Sequence, residues 1–150
     1  MISKEWNRGL RSHNPLTCAL IDVDYFKDYN DAYGHQAGDQ CLIDVANVLK
    51  DTFRRGGDFV ARYGGEEFVI LMGDCSKEDA IAAVELLQIE LAKLRIPHSG
   101  SQVNDYVTIS AGIVNEAPTR NQTIDSYIRK ADDALYHAKA EGRNKWVMAD

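Results

Sequence analysis

The sequence is poor in the features that would tie it to a membrane, an oxidising compartment or nucleic acid. Its three cysteines, Cys18, Cys41 and Cys75, are far apart and odd in number, so no disulfide framework or zinc spacing is visible and a reducing cytoplasm fits best. No apolar run approaches the roughly 20 residues of a membrane span. The first residues, Met1 to Arg11, are polar and charged, so we do not expect them to be a signal peptide. The formal charge of −6 argues against a general nucleic-acid binder, although it leaves room for a single nucleotide held through a metal.

What is present indicates one domain with a mixed sheet. A chain of 150 residues is long enough for a single core, and we expect residues 1–15 to be a leading segment or linker helix ahead of a domain at 16–150. The spacing of apolar residues predicts β-α-α-β-β-α-β-α-β. This order is typical of an α/β (α+β) sandwich, with a mixed central sheet flanked by helices. The predicted strands are 16–21, 59–61, 68–72, 107–113 and 146–148, and the predicted helices are 24–31, 40–53, 80–94 and 124–138.

The most informative segment is Gly64-Gly65-Glu66-Glu67, which lies between two apolar stretches. Glycine tolerates positive φ, so the pair suits a hairpin turn. Two adjacent carboxylates repel each other, and a bound cation would explain their crowding. A solvated acidic turn is the simpler alternative for this segment on its own.

Asp22-Val23-Asp24 closes the first apolar run, and a strand end is where ligands gather in such folds. Asp22 is the better ligand candidate, while Asp24 is better explained as the N-cap of the short helix that follows. Oxygen ligands from Asp22, a backbone carbonyl and Glu66 would suit Mg²⁺. The alternative is that Asp22 merely caps the next turn.

Asn30 and Asp39 offer the donors and acceptors that match the edge of guanine. Asp39 would equally serve as the N-cap of the helix predicted after Gly38, and Asn30 would equally serve as a turn residue. His35 lies between them in the sequence and either supports the loop or contacts the nucleotide.

Three basic residues are candidates for binding phosphate. Lys139 and Arg143 are four residues apart, so one helix turn could present both on one side. Lys27 is a similar candidate near Asp22. The simple alternative for Lys139 and Arg143 is that they complement the helix C-terminus.

Together these segments resemble the GGDEF family, the diguanylate cyclases. The matching blocks occur in family order from about residue 16 to 147, at 22–27, 30–35, 38–39, 62–68 and 131–144. The resemblance implies a fold similar to the adenylyl cyclase catalytic core and the polymerase palm. It also implies a nucleotidyltransferase activity that condenses two GTP into cyclic di-GMP with release of two pyrophosphates.

The resemblance also implies a role for each matching residue. Glu66 would be catalytic, with Lys27 stabilising charge in the transition state. Two Mg²⁺ or Mn²⁺ ions per GTP would be held by Asp22, the Val23 carbonyl, Glu66 and Glu67. Guanine would be bound by Asn30 and Asp39, with His35 close by. Phosphates would be bound by Lys139, Arg143 and main-chain N–H groups near Tyr25 and Phe26.

Further expectations follow from the family. Each domain would hold one GTP, so catalysis needs a second copy in a homodimer, and a sensory domain is expected upstream. Arg55 and Asp58 match the family's inhibitory motif by position and would bind the product in feedback inhibition; a surface turn is the simple alternative. A catalytically silent module that binds GTP or cyclic di-GMP is the second functional hypothesis. A related enzyme for another nucleotide is disfavoured by Asn30 and Asp39.

Overall fold

The computed structural model describes residues 2–150, and in this part of the chain the predicted order of elements is confirmed. One helix precedes that order. The strands are β1 (Leu16–Val23), β2 (Asp58–Gly64), β3 (Glu67–Met72), β4 (Ile109–Glu116) and β5 (Trp146–Met148). The helices are α1 (Ile2–Ser12), α2 (Phe26–Tyr33), α3 (His35–Thr52), α4 (Lys77–Lys93) and α5 (Ile124–Ala140).

The strands form one mixed sheet in the order β2-β3-β1-β4-β5. β1 pairs antiparallel with β3 and β4, β2 pairs antiparallel with β3, and β5 runs parallel to β4. All eight residues of the central β1 are buried. Burial on both faces explains why β1 reads as a continuous apolar run rather than an alternating one.

Helices cover both faces of the sheet, as an α+β sandwich requires. Ala19, Ile21 and Val23 point from β1 into a core shared with α3 and α4. The alternate residues, including Leu20, point into a second core with α1 and α5. Trp6 of α1 packs edge-on against Tyr127 of α5, with ring centroids 5.2 Å apart.

Helix α5 lies unusually close to the sheet at Gly112 of β4. A Cβ atom at this position would come within 2.1 Å of the Ala131 carbonyl oxygen and 2.2 Å of the Leu135 nitrogen. No real side chain tolerates such distances to backbone atoms, so glycine is what lets α5 rest directly on the strand. This contact fixes the height of α5 above the sheet, and α5 carries Lys139.

Several predicted boundaries are wrong by two or more residues, and two of them concern segments near the candidate site. The segment 33–39 was expected to be a loop, but α3 already begins at His35 and Asp39 lies inside it. Asp39 is therefore not an N-cap; that position belongs to Gly34. The strand predicted at 107–113 starts later, at Ile109, and runs on to Glu116.

Candidate active site

The site is built around Asp22, which lies one residue before the end of β1. Its register partners are Glu67 on β3 and Ser110 on β4, so the neighbouring strands place both next to it. Only 6% of the Asp22 side chain is exposed. Lys139 reaches down from α5 and donates from Nζ to Oδ2 at 2.5 Å. A buried carboxylate and a cation from the helix above therefore meet at this edge of the sheet.

The electrostatics at this edge leave negative charge incompletely balanced. Burial raises the pKa of Asp22 to about 6; Lys139 opposes the rise, and the charges of Glu66 and Glu67 add to it. Burial also raises the pKa of Glu67, and the nearby charges of Asp132 and Glu66 act in the same direction while Lys139 opposes them. One ammonium group thus faces several carboxylates, which is a setting that a further cation would stabilise.

The hairpin confirms the turn predicted from Gly64-Gly65. β2 ends at Gly64 and β3 begins at Glu67, and Gly65 has φ 44° in the left-handed region. Arg62 donates from Nε to the Gly65 carbonyl at 2.8 Å, and the Val23 N–H donates to the Glu66 carbonyl at 3.3 Å. The turn is thereby held against the end of β1, with Glu66 beside Val23.

Within residues 2–150, no three His, Cys, Asp or Glu side chains form a ready-made metal site. The chemistry of the donors nevertheless fits a hard cation. Asp22 and Glu67 are carboxylates on adjacent strands, and Glu66 lies in the turn next to Val23. Mg²⁺ is bound in proteins through one or two carboxylates together with substrate phosphates.

Asp24 is not the N-cap that the sequence suggested. Its buried carboxylate accepts hydrogen bonds from Thr108 Oγ1 at 2.7 Å, Ser110 Oγ at 2.6 Å and the Asn144 N–H at 3.0 Å. Asp24 therefore joins the end of β1 to β4 and to the loop after α5. The N-cap of α2 is Tyr25, in the left-handed conformation at φ 55° and ψ 39°, with no side-chain cap.

Three of the candidate phosphate-binding residues lie at this N-terminus of α2, whereas Lys139 contacts Asp22 at the end of β1. Phe26 and Lys27 are the first two residues of α2, and Lys27 is exposed. One helix turn could have presented both Lys139 and Arg143, but α5 ends at Ala140 and Gly142, at φ 121°, lies between the helix end and Arg143. Arg143 instead lies in the following loop, with its guanidinium 4.7 Å from the centre of the Tyr25 ring.

The candidate guanine-binding residues lie where α2 meets α3. Asn30 Oδ1 is buried and has no hydrogen-bond partner within residues 2–150. It packs so closely on Gly38 that a Cβ there would come within 1.7 Å of it. Asp39 lines an open groove of about 390 Å³ with Leu42, Ile43, Ala46, Lys50, Val60, Ala61, Arg62 and Phe68. His35 begins α3 and is exposed.

Arg55 and Asp58 lie apart from this edge and contact each other: Arg55 is in the turn before β2, and Asp58 is the first residue of β2. The Arg55 N–H donates to Asp58 Oδ2 at 3.1 Å, and the Arg55 guanidinium is 3.5 Å from Asp58 Oδ1. Half of the Arg55 side chain is exposed, whereas the Asp58 side chain is buried. An exposed guanidinium thus covers a buried carboxylate.

Sequence reasoning gave no individual role to four residues that contact Asp24 or Tyr25: His98, Thr108, Ser110 and Asn144. Thr108 and Ser110 did carry a signal, since polar residues alternate with apolar ones from Val107 onward and so share one face. Nothing local marks the other two, because their partners at Asp24 and Tyr25 are more than 70 residues away.

An α+β sandwich with acids and cations gathered at one sheet edge defines a cyclase-like domain. The family model described as "Diguanylate cyclase, GGDEF domain" matches residues 1–145. The chain belongs to the GGDEF domain family of diguanylate cyclases, as the motifs indicated.

Relatives named for this activity match most of the chain. Diguanylate cyclase A of Treponema denticola is 39% identical over 134 residues, which are 89% of this chain and 35% of that protein. Diguanylate cyclase DgcM of Escherichia coli is 40% identical over 130 residues, 87% of this chain and 30% of that protein. The chain spans about a third of the length of these relatives.

Solved structures agree on the fold. The GGDEF domain of DgcB from Caulobacter crescentus, in complex with c-di-GMP, superposes with a TM-score of 0.86 at 28% identity, covering 98% of this chain and 85% of that one. The active GGEEF domain of a diguanylate cyclase from Vibrio cholerae gives 0.82 at 30% identity, covering 98% and 90%.

Proposed function

We propose that this chain is a catalytic domain that condenses two GTP into cyclic di-GMP with release of two pyrophosphates. The observation that carries the proposal is the edge at Asp22. A buried carboxylate with a raised pKa, two further acids on the adjoining hairpin and a lysine from α5 meet there. Such a cluster needs a cation and suits a polyphosphate. The names of the relatives supply the substrate class.

Metal dependence is general in this family. We assign Asp22, the Val23 carbonyl, Glu66 and Glu67 to Mg²⁺ or Mn²⁺, with two ions for each GTP. Such ions, when bound, neutralise phosphate charge and favour displacement at phosphorus.

The remaining roles follow from position. The first N–H groups of α2, near Phe26, point outward from a helix N-terminus, where anions are stabilised. Lys139 contacts Asp22 from α5, and Arg143 stacks on Tyr25 at the start of α2; both would bind the phosphates. Lys27 would neutralise charge that develops on the reacting phosphate.

We assign guanine recognition to Asn30 and Asp39, with His35 at the rim. The buried Asn30 Oδ1 lacks a partner within the described chain, and a base N–H group would satisfy it. The groove beside Asp39 is lined mainly by apolar side chains, which suits the faces of a purine.

In the reaction, the 3′-hydroxyl of one GTP attacks the α-phosphorus of the other. Glu66 accepts the hydroxyl proton, and pyrophosphate leaves with the electron pair of the broken P–O bond. One domain offers one such nucleotide site, so a second copy of the domain must face it. Activity should therefore rise faster than linearly with protein concentration.

Incubation with GTP and Mg²⁺, followed by mass identification of the product, tests the proposal. We expect cyclic di-GMP from the wild-type protein and none from Glu66→Gln, which keeps the size of the side chain. Binding of GTP without any product would instead support a silent binding module. Full activity of Glu66→Gln would refute the role of Glu66.

We further propose that Arg55 and Asp58 bind the product and limit its synthesis. Arg55 would turn from Asp58 towards a product phosphate or guanine edge, while Asp58 accepts from guanine. Arg55→Ala should keep its initial rate but lose inhibition by added cyclic di-GMP. Unchanged inhibition would argue against this site.

The relatives are about three times as long as this chain, so we expect further partners to involve regions outside it. We propose an upstream sensory domain that brings two copies together. Within residues 2–150, no helix has the length and apolar character needed to cross a membrane. The three cysteines are free and buried, which fits the cytoplasm as the place of action.

A further inference from the structure

His98 is buried beside the candidate site, although none of the roles above includes it. It is 1% exposed, and its ring packs edge-on against Tyr29 at 5.2 Å between centroids. Its Nε2 lies 3.2 Å from the Asp24 carbonyl oxygen and 3.0 Å from the Tyr25 carbonyl oxygen. Carbonyl oxygens only accept hydrogen bonds, so Nε2 carries a proton and donates to both.

These two carbonyls belong to the residues where the chain leaves β1 and enters α2. Tyr25 adopts φ 55° and ψ 39° there, a left-handed conformation that is unfavourable for a residue other than glycine. No side-chain cap compensates for this cost. Among the described residues, His98 is the only side chain that donates to both the Asp24 and the Tyr25 carbonyl oxygens.

The conformation of Tyr25 matters because two parts of the site depend on it. It sets the direction in which the first N–H groups of α2 point. It also places the Tyr25 ring under the guanidinium of Arg143. If Tyr25 relaxed to a negative φ, the helix N-terminus and the guanidinium would no longer converge.

We propose that His98 is a positioning residue for the triphosphate: its Nε2 holds the Asp24-Tyr25 turn so that α2 and Arg143 meet the phosphates. It acts through Tyr25 and contacts no substrate. The inference rests on the proposed function, because it takes GTP as the ligand.

A matched pair of variants tests the proposal. His98→Gln and His98→Met have unbranched side chains of similar length, but only glutamine can donate to the carbonyls. We expect His98→Met to weaken GTP binding about tenfold and His98→Gln to restore most of it. Guanosine, which lacks phosphates, should bind all three proteins within about twofold.

A purely structural role predicts a different result. Leu91→Ala on α4 should lower stability without changing the ratio of GTP to guanosine affinity, and it serves as the control for destabilisation alone. Equal GTP affinity in His98→Met and the wild type would overturn the role of His98 while leaving the proposed function intact. Failure of the wild type to bind GTP would overturn the proposed function itself, and this inference with it.

Nitrogen NMR of the wild-type histidine rings provides a test that requires no variant. We expect the His98 ring to carry its proton on Nε2 and to show a hydrogen bond to a carbonyl. A ring protonated only on Nδ1 would overturn the proposal even if His98→Met failed to fold.

Discussion

Asp22 and Asp24 are two residues apart and both buried, yet their surroundings differ. Asp24 accepts three hydrogen bonds from Thr108, Ser110 and Asn144, and its needs are met within the protein. Asp22 has one cationic partner, Lys139, and carboxylates as its other charged neighbours. The carboxylate of Asp24 thus connects parts of the scaffold, whereas the negative charge of Asp22 is poorly compensated.

Whether a buried carboxylate has its hydrogen bonds satisfied therefore distinguishes a scaffold residue from a binding-site residue. A buried carboxylate with all its hydrogen bonds made stabilises one arrangement of the chain. A buried carboxylate with a raised pKa is held at a cost in folding free energy, and such groups cluster at functional sites. Four substitutions would break or sharpen this contrast.

The largest effect should come from Asp22→Asn. We expect the rate of cyclic di-GMP synthesis to fall by about a thousandfold or more, because a charge that would hold a cation against the reacting phosphate is lost. The free energy of unfolding, measured with urea in metal-free buffer, should not fall, since a buried charge has been removed. Asp133→Asn on the exposed side of α5 is the control and should change neither quantity. A marked loss of stability in Asp22→Asn would erase the distinction from Asp24.

Asp24→Asn should show the opposite pattern in stability. Its amide group would meet donors from Thr108, Ser110 and Asn144, and at least one of them would lose its acceptor. We expect the free energy of unfolding to fall by about 2–4 kcal/mol. Adding Thr108→Val, which removes one of those donors, should cost less in the Asp24→Asn background than in the wild type. Strict additivity would mean that the two residues do not act together.

Gly38→Ala should affect recognition more than stability. The new Cβ would occupy the position of Asn30 Oδ1, and the amide, being the end of a side chain, can turn away. We expect GTP affinity to fall about tenfold with little change in unfolding. Preference for GTP over ITP, which lacks the guanine 2-amino group, should shrink. Unaltered preference would indicate that Asn30 does not contact the base.

Glu116→Gln should have the smallest effect, since this carboxylate is partly exposed. Burial alone would raise its pKa, but hydrogen bonds from Lys130 and Gln122 outweigh burial and lower it. A lowered pKa in the folded state means that the ion pair stabilises above the unfolded pKa and is lost as the pH falls through the folded value. We expect a difference of about 0.5 kcal/mol from the wild type at pH 7 that vanishes in acid. A constant difference at all pH values would exclude the ion pair as its source.

The sequence predicted the sheet, the hairpin and the family well because these depend on local signals. Apolar runs and glycine pairs act over a few residues, so Gly64-Gly65 specified its turn without reference to the rest of the chain. Asp24 was misassigned because its donors come from residues 84 to 120 positions away. Arg143 was grouped with Lys139 because the two are four residues apart, but that spacing puts them on one helix turn only if the helix continues, and α5 ends at Ala140.

Gly112 shows how a residue with no chemical role can control a reaction from the middle of a strand. Any larger side chain would wedge α5 away from β4 and carry Lys139 off Asp22. In a library of random variants selected for synthesis of cyclic di-GMP, position 112 should therefore tolerate as little change as the acids of the hairpin. Positions in an enzyme that do not tolerate substitution can thus mark close packing between a helix and a sheet as well as the residues that react.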